Sequence, residues 1–581
     1  MQPTGIRCLL IVALLVPWAA GAASNADRLH AFFSQSYEER LRDEPEMATF
    51  NGRHDYDDRW NDWSTGGRTA RRTHLEARLR ELAAIPLDDV SDEDRLSARL
   101  FRYAVEQDLA ADDLETHLIR VGQLYGFHNR IYQMIDRMPT RTVGDYENVI
   151  ARLRAVPAYV TQNMGVLQEG MDRGLTQPPV VVDRVVEQLS KQVSQGPDDS
   201  ALLAGFRRFP GNLPDAEQAR LRAAAVKAYV TDFLPAWTRL RDFIDGPYRS
   251  KARVGVGLGT LPNGHEAYAT MVRRLTTTTL APKEIHAIGI AEVARIETAM
   301  QQAARDVGFT GTLDEFAHQL RDSPEQHFRS KDEMLAYCRN LAKIIEPELP
   351  GQFKRIPVLL YGVRAIPEDR EQATASNAQA PAADGSAPGW FNLNAYQPDK
   401  QFRFDKDALV LHEAVPGHIF QISVARSTPN LPEFRKYYGN SAYLEGWALY
   451  AESLGAQLGV YRDPYSRFGQ LSSERLRAVR LVVDTGMHEL GWSRDQALEY
   501  FRTHAPESSL AEIDRYISWP GQALAYKLGQ LEILRLRREA EQRLGPKFDV
   551  RDFHDVVLRD GVLPLELLRE QVEKYINGAH Q

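Results

Sequence analysis

Apolar positions recur at helical spacing along most of the chain. In Ala216–Leu234 the stripe is Leu221, Ala225, Ala228 and Val230 to Phe233, with Asp215 placed as N-cap. In Glu284–Ala304 the residues Ile285, Ile288, Val293, Ile296 and Met300 share one face, and Pro282 stands near the start, where a missing N–H costs nothing. These stripes read as core and carry no functional weight. Strand patterns are few, the best being Pro357–Val363 and Trp390–Asn394. Between them Gln372–Gly389, rich in Ala, Ser, Pro and Gly, reads as a surface loop. Gly and Pro cluster again at Ser250–Gly264, a soft boundary between an N-terminal helical region (24–250) and a C-terminal one (251–581). The pattern predicts a mainly α fold with one small β-sheet.

Composition narrows the function classes. The chain has 581 residues, 43% hydrophobic and 26% charged, enough for a large core and wrong for disorder or a polytopic membrane protein. A net charge of -8 argues against nucleic acid as a partner. Residues 1–22 read as an export signal: Arg7 supplies the positive end, Cys8–Ala20 the short apolar run, and Ala20-Gly21-Ala22 the small residues a signal peptidase reads. Cys8 opens the apolar run and does not follow it, so no lipid anchor is expected. Its removal leaves Cys338 alone, which excludes a disulfide framework and a cysteine-rich zinc site. The expectation is an exported, periplasmic protein with no stable membrane insertion after signal removal.

Candidate chemistry concentrates in Asp405–Glu452. Asp405-Lys406-Asp407 starts a helix that reaches His412-Glu413-Ala414-Val415-Pro416-Gly417-His418, and a second helix follows at Tyr443–Glu452. Zinc hydrolases place two histidines at i and i+4 on one helix, with a Glu beside the first as general base. Here His412 and His418 are six apart, which on an unbroken helix means roughly 120° of rotation and about 9 Å of rise. They then cannot share an ion. Pro416-Gly417 changes this, because Pro disfavours a helical preceding residue and Gly admits unusual dihedrals. A loop-out there turns His418 back toward His412, with Glu413 as base. On pattern alone this reading and that of a polar helix end with capping histidines both stay open. The other His-Glu pairs, at His265 and His488, have no second His behind them.

HEAVPGH followed by YLEGWALYAE resembles the bacterial domain-of-unknown-function family 885. So do LPNGHEAY (Leu261–Tyr268), LVVDTGMH (Leu481–His488) and PGQALAYKLG (Pro520–Gly529). The resemblance covers nearly all of the mature chain. It implies a branch of the gluzincin metallopeptidases, similar to the angiotensin-converting-enzyme, thimet-oligopeptidase and carboxypeptidase Taq groups. It implies a large helical fold, a deep channel with Zn²⁺ at its floor, the small sheet near the metal, and short-peptide substrates. It also implies Glu445 as third ligand beside His412 and His418.

Spacing adds further candidates. Glu452 lies two turns beyond Glu445, to orient a ligand histidine or stand solvated. Asp484 and His488 are i, i+4, as are Arg480 and Asp484; His488 is a candidate for the oxyanion and Asp484 for its support, and a helix-surface ion-pair row fits the same spacing. Gln522 and Tyr526 follow a Pro-Gly break, Tyr526 as a second oxyanion donor and Gln522 toward substrate. Lys527 is a candidate for a terminal carboxylate. Trp390–Asn394, with Asn392 and Asn394, is a candidate edge strand for an extended peptide, and a buried structural strand explains the same residues. The expected function is a zinc peptidase acting on dipeptides or short oligopeptides through Glu413. A zinc-free peptide-binding scaffold and a zinc hydrolase of a non-peptide amide or ester stand as alternatives.

Overall fold

The computed structural model describes residues 23–578 except 359, 369, 370, 372, 373, 382–386 and 507. The residues read as an export signal, 1–22, lie outside them. The chain is mainly α-helical with one three-stranded sheet. The elements that build the site are, in chain order, α1 (Pro282–Asp306), β1 (Tyr361–Ala365), β2 (Asn377–Gln379), β3 (Gly389–Leu393), α2 (Phe404–Glu413), α3 (His418–Ser427), α4 (Ser441–Ser453), α5 (Pro464–His488), α6 (Ala511–Ser518) and α7 (Ala525–Leu544).

α1 starts on Pro282 and buries Ile285, Val293, Ile296 and Met300, following its apolar stripe. It lies along α5, where a Cβ on Gly289 would come within 2.7 Å of Leu481 Cβ. The stripe after Asp215 behaves differently. Pro214 occupies the cap position of the helix Asp215–Ala228, and Asp215 is its first residue, where a carboxylate meets the positive helix end. A π-helical turn at Tyr229–Phe233 then shifts the phase, so Tyr229 and Phe233 are buried while Val230 is 44% exposed.

One apolar core runs from Trp60 through Val149, Trp237 and Val293 to Val483 and Ile517. It crosses the Gly- and Pro-rich segment after Ser250, which forms short 3₁₀ turns at Arg249–Lys251 and Leu258–Thr260. A second core gathers Phe391 of β3, Val410 of α2, Trp447 of α4 and Ile533 of α7. Among the described residues no helix is long and apolar enough to cross a membrane.

The sheet order is β1-β3-β2, with β1 parallel and β2 antiparallel to β3. This corrects three readings. The first strand begins only at Tyr361, and Val358 before it is 85% exposed. The segment read as a loop contributes β2. And of the two readings of β3, a peptide-binding edge and a buried structural strand, the second holds, since it is the central strand: Asn392 pairs with Arg364 on one side and Asn377 on the other. Both its edges are taken, so no peptide adds to it.

Candidate metal centre

α2 ends at Glu413. Ala414 leaves the helix with φ −99° and ψ −96°, the Val415–Pro416 bond is cis, and Gly417 (φ −71°, ψ −136°) leads into α3. Gly417 packs onto the end of α2 so closely that a Cβ would sit 1.8 Å from the His412 carbonyl oxygen. From α4, Trp447 donates its indole N–H to the Pro416 carbonyl at 2.8 Å and ties the turn down. His418 therefore opens a new helix, and the six-residue spacing no longer follows one helical screw. The His412 and His418 rings stand 4.9 Å apart and perpendicular.

α4 is capped by Asn440, whose side chain accepts from the Tyr443 N–H at 3.2 Å, and it brings Glu445 to the two imidazoles. Glu445 Oε2 lies 3.5 Å from His412 Nε2 and 3.3 Å from His418 Nε2. One donor atom from each residue falls within 4.8 Å of the others. These separations are long for charge-assisted hydrogen bonds, which run about 2.7–2.9 Å. They match the edge of a tetrahedron with roughly 2.0–2.1 Å bonds at its centre, about 3.4 Å. Two imidazoles and a carboxylate are also the protein donor set zinc takes in hydrolases. The residues fit the ion.

The electrostatics point the same way. Glu452, fully buried, accepts from His412 Nδ1 at 2.8 Å, leaving Nε2 aimed at Glu445. Burial alone would pull the His412 imidazole down, but Glu445 and Glu452 outweigh it and hold it up at about 9. Burial works against the Glu445 carboxylate too, yet the two histidines keep it well below the usual range. Glu413 is 8% exposed; burial pushes its carboxyl above the ordinary range, against the pull of His412 and His418.

Tyr526 of α7 stacks beside His412, ring centroids 6.3 Å apart. Its hydroxyl accepts from Arg515 Nη2 at 3.3 Å, and Arg480 lies over its ring at 4.6 Å. Gln522 accepts from the same Arg515 nitrogen at 2.6 Å. Gln522 and Tyr526 thus share one guanidinium close to the candidate ligands. Arg515 and also Arg477, which lies 3.6 Å from Glu452 Oε1, were not singled out from the sequence, and Arg480 was read only as a partner for Asp484. Arg477 and Arg480 sit just before LVVDTGMH and Arg515 just before PGQALAYKLG, and that proximity was the available signal.

Other sequence candidates are committed elsewhere. His488 is fully buried; its Nδ1 accepts from the Leu258 N–H at 3.0 Å and its Nε2 meets the Tyr516 carbonyl at 3.0 Å. Burial pushes it down to about 3, and neither nitrogen is left for an oxyanion. Arg480 pairs with Glu512 at 2.8 Å and not with Asp484. Asp484 accepts from the Tyr268 hydroxyl at 2.5 Å and the Gly521 N–H at 3.0 Å, so it holds the turn ahead of Gln522. Lys527 is fully buried, with Nζ 2.6 Å from Glu474, 2.8 Å from Gln530 and 2.9 Å from Glu292. It has no donor left for a substrate carboxylate. Asn394 donates to the Glu371 and Thr374 carbonyls at 2.6 and 2.8 Å, closing its own loop. Asn392 bonds Arg364 at 2.7 Å and Asn377 at 3.0 Å.

A sequence model of bacterial proteins of unknown function, DUF885, matches residues 45–572. The chain belongs to the DUF885 family. No curated protein matches this DUF885 chain. A candidate lipoprotein from Colwellia psychrerythraea of known structure is 27% identical, with a TM-score of 0.90 over 96% of this chain and 100% of that one. A candidate lipoprotein of unknown function from Shewanella oneidensis is 19% identical and shares the fold, with a TM-score of 0.72 over 94% of this chain and 99% of that one.

Proposed function

We propose that this DUF885 chain is a zinc-dependent hydrolase that cuts dipeptides or short oligopeptides. The reading is carried by one observation: the nitrogens of His412 and His418 lie 3.5 and 3.3 Å from a single Glu445 oxygen. Zinc, when bound, polarises the scissile carbonyl and the attacking water. Glu413 takes a proton from that water on its carboxylate and passes it to the leaving amine nitrogen. The burial that raises its proton affinity favours the first of these transfers. Tyr526 offers its hydroxyl proton to the oxyanion, while Arg515 holds the hydroxyl and Gln522 holds Arg515.

Burial limits the substrate. His412 is 3% and Glu413 8% exposed, so a folded chain does not reach them and a short peptide does. A zinc-free scaffold gives no task to Glu413 or to the buried His412–Glu452 bond. The similar Colwellia chain is described as a candidate lipoprotein, and Arg7 with the apolar run from Cys8 reads as an export signal here. We place the mature protein in the periplasm without a lipid, because Cys8 opens the run. Its intact mass tests this: a diacylglyceryl adduct refutes the second part.

Protein purified without chelator is expected to carry equimolar zinc and to hydrolyse members of a mixed short-peptide library. Glu413→Gln is expected to keep the zinc and lose about 10²–10⁴-fold in turnover. Hydrolysis unchanged by a chelator, or full activity of Glu413→Gln, refutes the reading. Cleavage confined to esters or non-peptide amides would move the substrate class and keep the centre.

A further inference from the structure

A cavity of roughly 480 Å³ opens beside the candidate metal centre and contains none of its ligands. Its walls include Trp63, Tyr125, Trp519, Leu175, Leu258 and Met271. Tyr125 is 60% exposed and packs on Trp519 with ring centroids 4.1 Å apart, at the solvent side. From Trp519 a line of contacts leads inward. Arg515 lies 5.9 Å from the Trp519 ring and bonds the Tyr526 hydroxyl, and Tyr526 stacks beside His412. The volume is in the range of a site for one or two amino-acid residues.

Arg120 also lines this cavity. Its guanidinium lies over Trp63 at 3.3 Å, and Nε and Nη1 are buried without a hydrogen-bond partner. Among the described residues no carboxylate pairs with it. The acids on the same wall are already matched: Asp113 with Arg72 at 2.8 Å, and Glu115 with Arg173. The Trp63 indole N–H is likewise buried and unpartnered. Burial pushes the Arg120 guanidinium down to about 10, against the weaker pull of Tyr159 and Glu46. Arg120 is only partly buried, so although Nε and Nη1 are covered by protein, a carboxylate in the cavity meets the exposed part of the guanidinium as an opposite charge. The aromatic and aliphatic walls suit an apolar side chain beside that carboxylate.

We infer that this cavity receives the C-terminal residue of a short peptide with an apolar side chain, and that Arg120 binds its carboxylate. The inference rests on the hydrolase reading for the peptide nature of the ligand, and it adds the end recognised and the residue that recognises it.

Binding to Glu413→Gln protein tests it, because the hydrolase reading expects that protein to turn over too slowly to disturb a binding measurement. The probes are N-acetyl-L-phenylalanine and N-acetyl-L-phenylalaninamide, followed by tryptophan fluorescence and calorimetry. The acid is expected to bind saturably and about tenfold tighter than the amide, the worth of one charge-assisted contact. Adding Arg120→Gln should abolish that preference, and Arg120→Lys should keep part of it. Loss of an unpaired buried charge should leave the Arg120→Gln melting temperature equal or higher. Equal affinity for acid and amide overturns the inference. So does a preference that survives Arg120→Gln, which would put the carboxylate elsewhere, on the metal included. If Arg120→Gln fails to fold, the acid–amide comparison in the parent protein decides alone. Failure here with an active wild-type enzyme sinks only the cavity, while acid-selective binding without any hydrolysis sinks only the function.

Discussion

Gly446 of α4 lies against Gly529 of α7 so closely that a Cβ on Gly446 would come within 2.5 Å of Gly529 Cα. The contact sets the distance between the helix that carries Glu445 and the helix that carries Tyr526. A Cβ on Gly529 would fare worse, 1.9 Å from the Ala442 carbonyl oxygen. Backbone cannot give way as a side chain can. Gly529→Ala is therefore expected to destabilise the fold by about 1–3 kcal/mol through overpacking, and to lower zinc content by moving Glu445. Urea unfolding and metal analysis of the same sample check both parts; a stable variant with full zinc would contradict the account.

Glu452 braces His412 through Nδ1 at 2.8 Å, from a fully buried position. Removing such a brace usually weakens metal binding about 10–100-fold. Glu452→Ala is expected in that range by competition against a chelator. Glu452→Gln keeps an accepting oxygen and should lose less. Unchanged affinity in Glu452→Ala would mean that packing alone fixes the ring.

Zinc bound only by the native state adds stability in proportion to the logarithm of its free concentration. Chelation should therefore lower the melting temperature of the wild type. His418→Ala lacks one donor, and its melting temperature should not respond to the chelator. An equal response in both proteins would place the metal somewhere else.

Lys527 tests the difference between a structural and a substrate-binding cation. It is buried against Glu474, Glu292 and Gln530. Lys527→Met strands those carboxylates and is expected to cost about 3 kcal/mol in stability. KM for short peptides should stay within twofold or so, because the ammonium reaches no substrate. A large rise in KM at unchanged stability would restore the carboxylate-binding role.

Asp407 makes a pH prediction. It is 4% exposed, and burial pushes its carboxyl from 3.8 up to about 7, against the Tyr337 hydroxyl that donates to it at 2.8 Å. The folded state thus holds a proton that the unfolded chain releases. This group's contribution is most favourable below about pH 4 and is lost as pH rises to about 7, a swing of roughly 4 kcal/mol. Asp407→Asn keeps an acceptor for Tyr337 and carries no charge. Relative to the wild type it should gain stability between pH 4 and about 7 and hold the gain above. Glu512 works in the opposite direction, since Arg480 and Arg515 overcome burial and hold it at about 2, so the comparison must be the difference between the two proteins. Parallel pH profiles would contradict the assignment.

Much of the site was legible along the chain because its signals are local. A run of three acidic or basic residues before an apolar stripe starts a helix, and Pro416-Gly417 ends one, whatever surrounds them. The donor types on His412, His418 and Glu445 are chemical facts of those residues, as is the small size of Gly446. The same local reasoning misassigned His488, Lys527, Asn392 and Asn394. Their spacing resembled that of a working group, but their polar atoms are consumed by the Leu258 and Tyr516 backbone, by Glu474 and Glu292, and by neighbouring strands and loops.

By itself, then, the sequence determined the helical class, the break after Glu413 and the atoms available to a metal, since each follows from backbone preference and side-chain chemistry within a few residues. Only the tertiary structure decided which polar groups converge and which are spent on one another. It turned His418 toward His412, set Glu452 behind it, brought Arg515 to Tyr526 from another helix, and left Arg120 without an ion-pair partner among the described residues. A buried polar group must find a partner close at hand, and the candidates are supplied by packing between segments far apart in the chain.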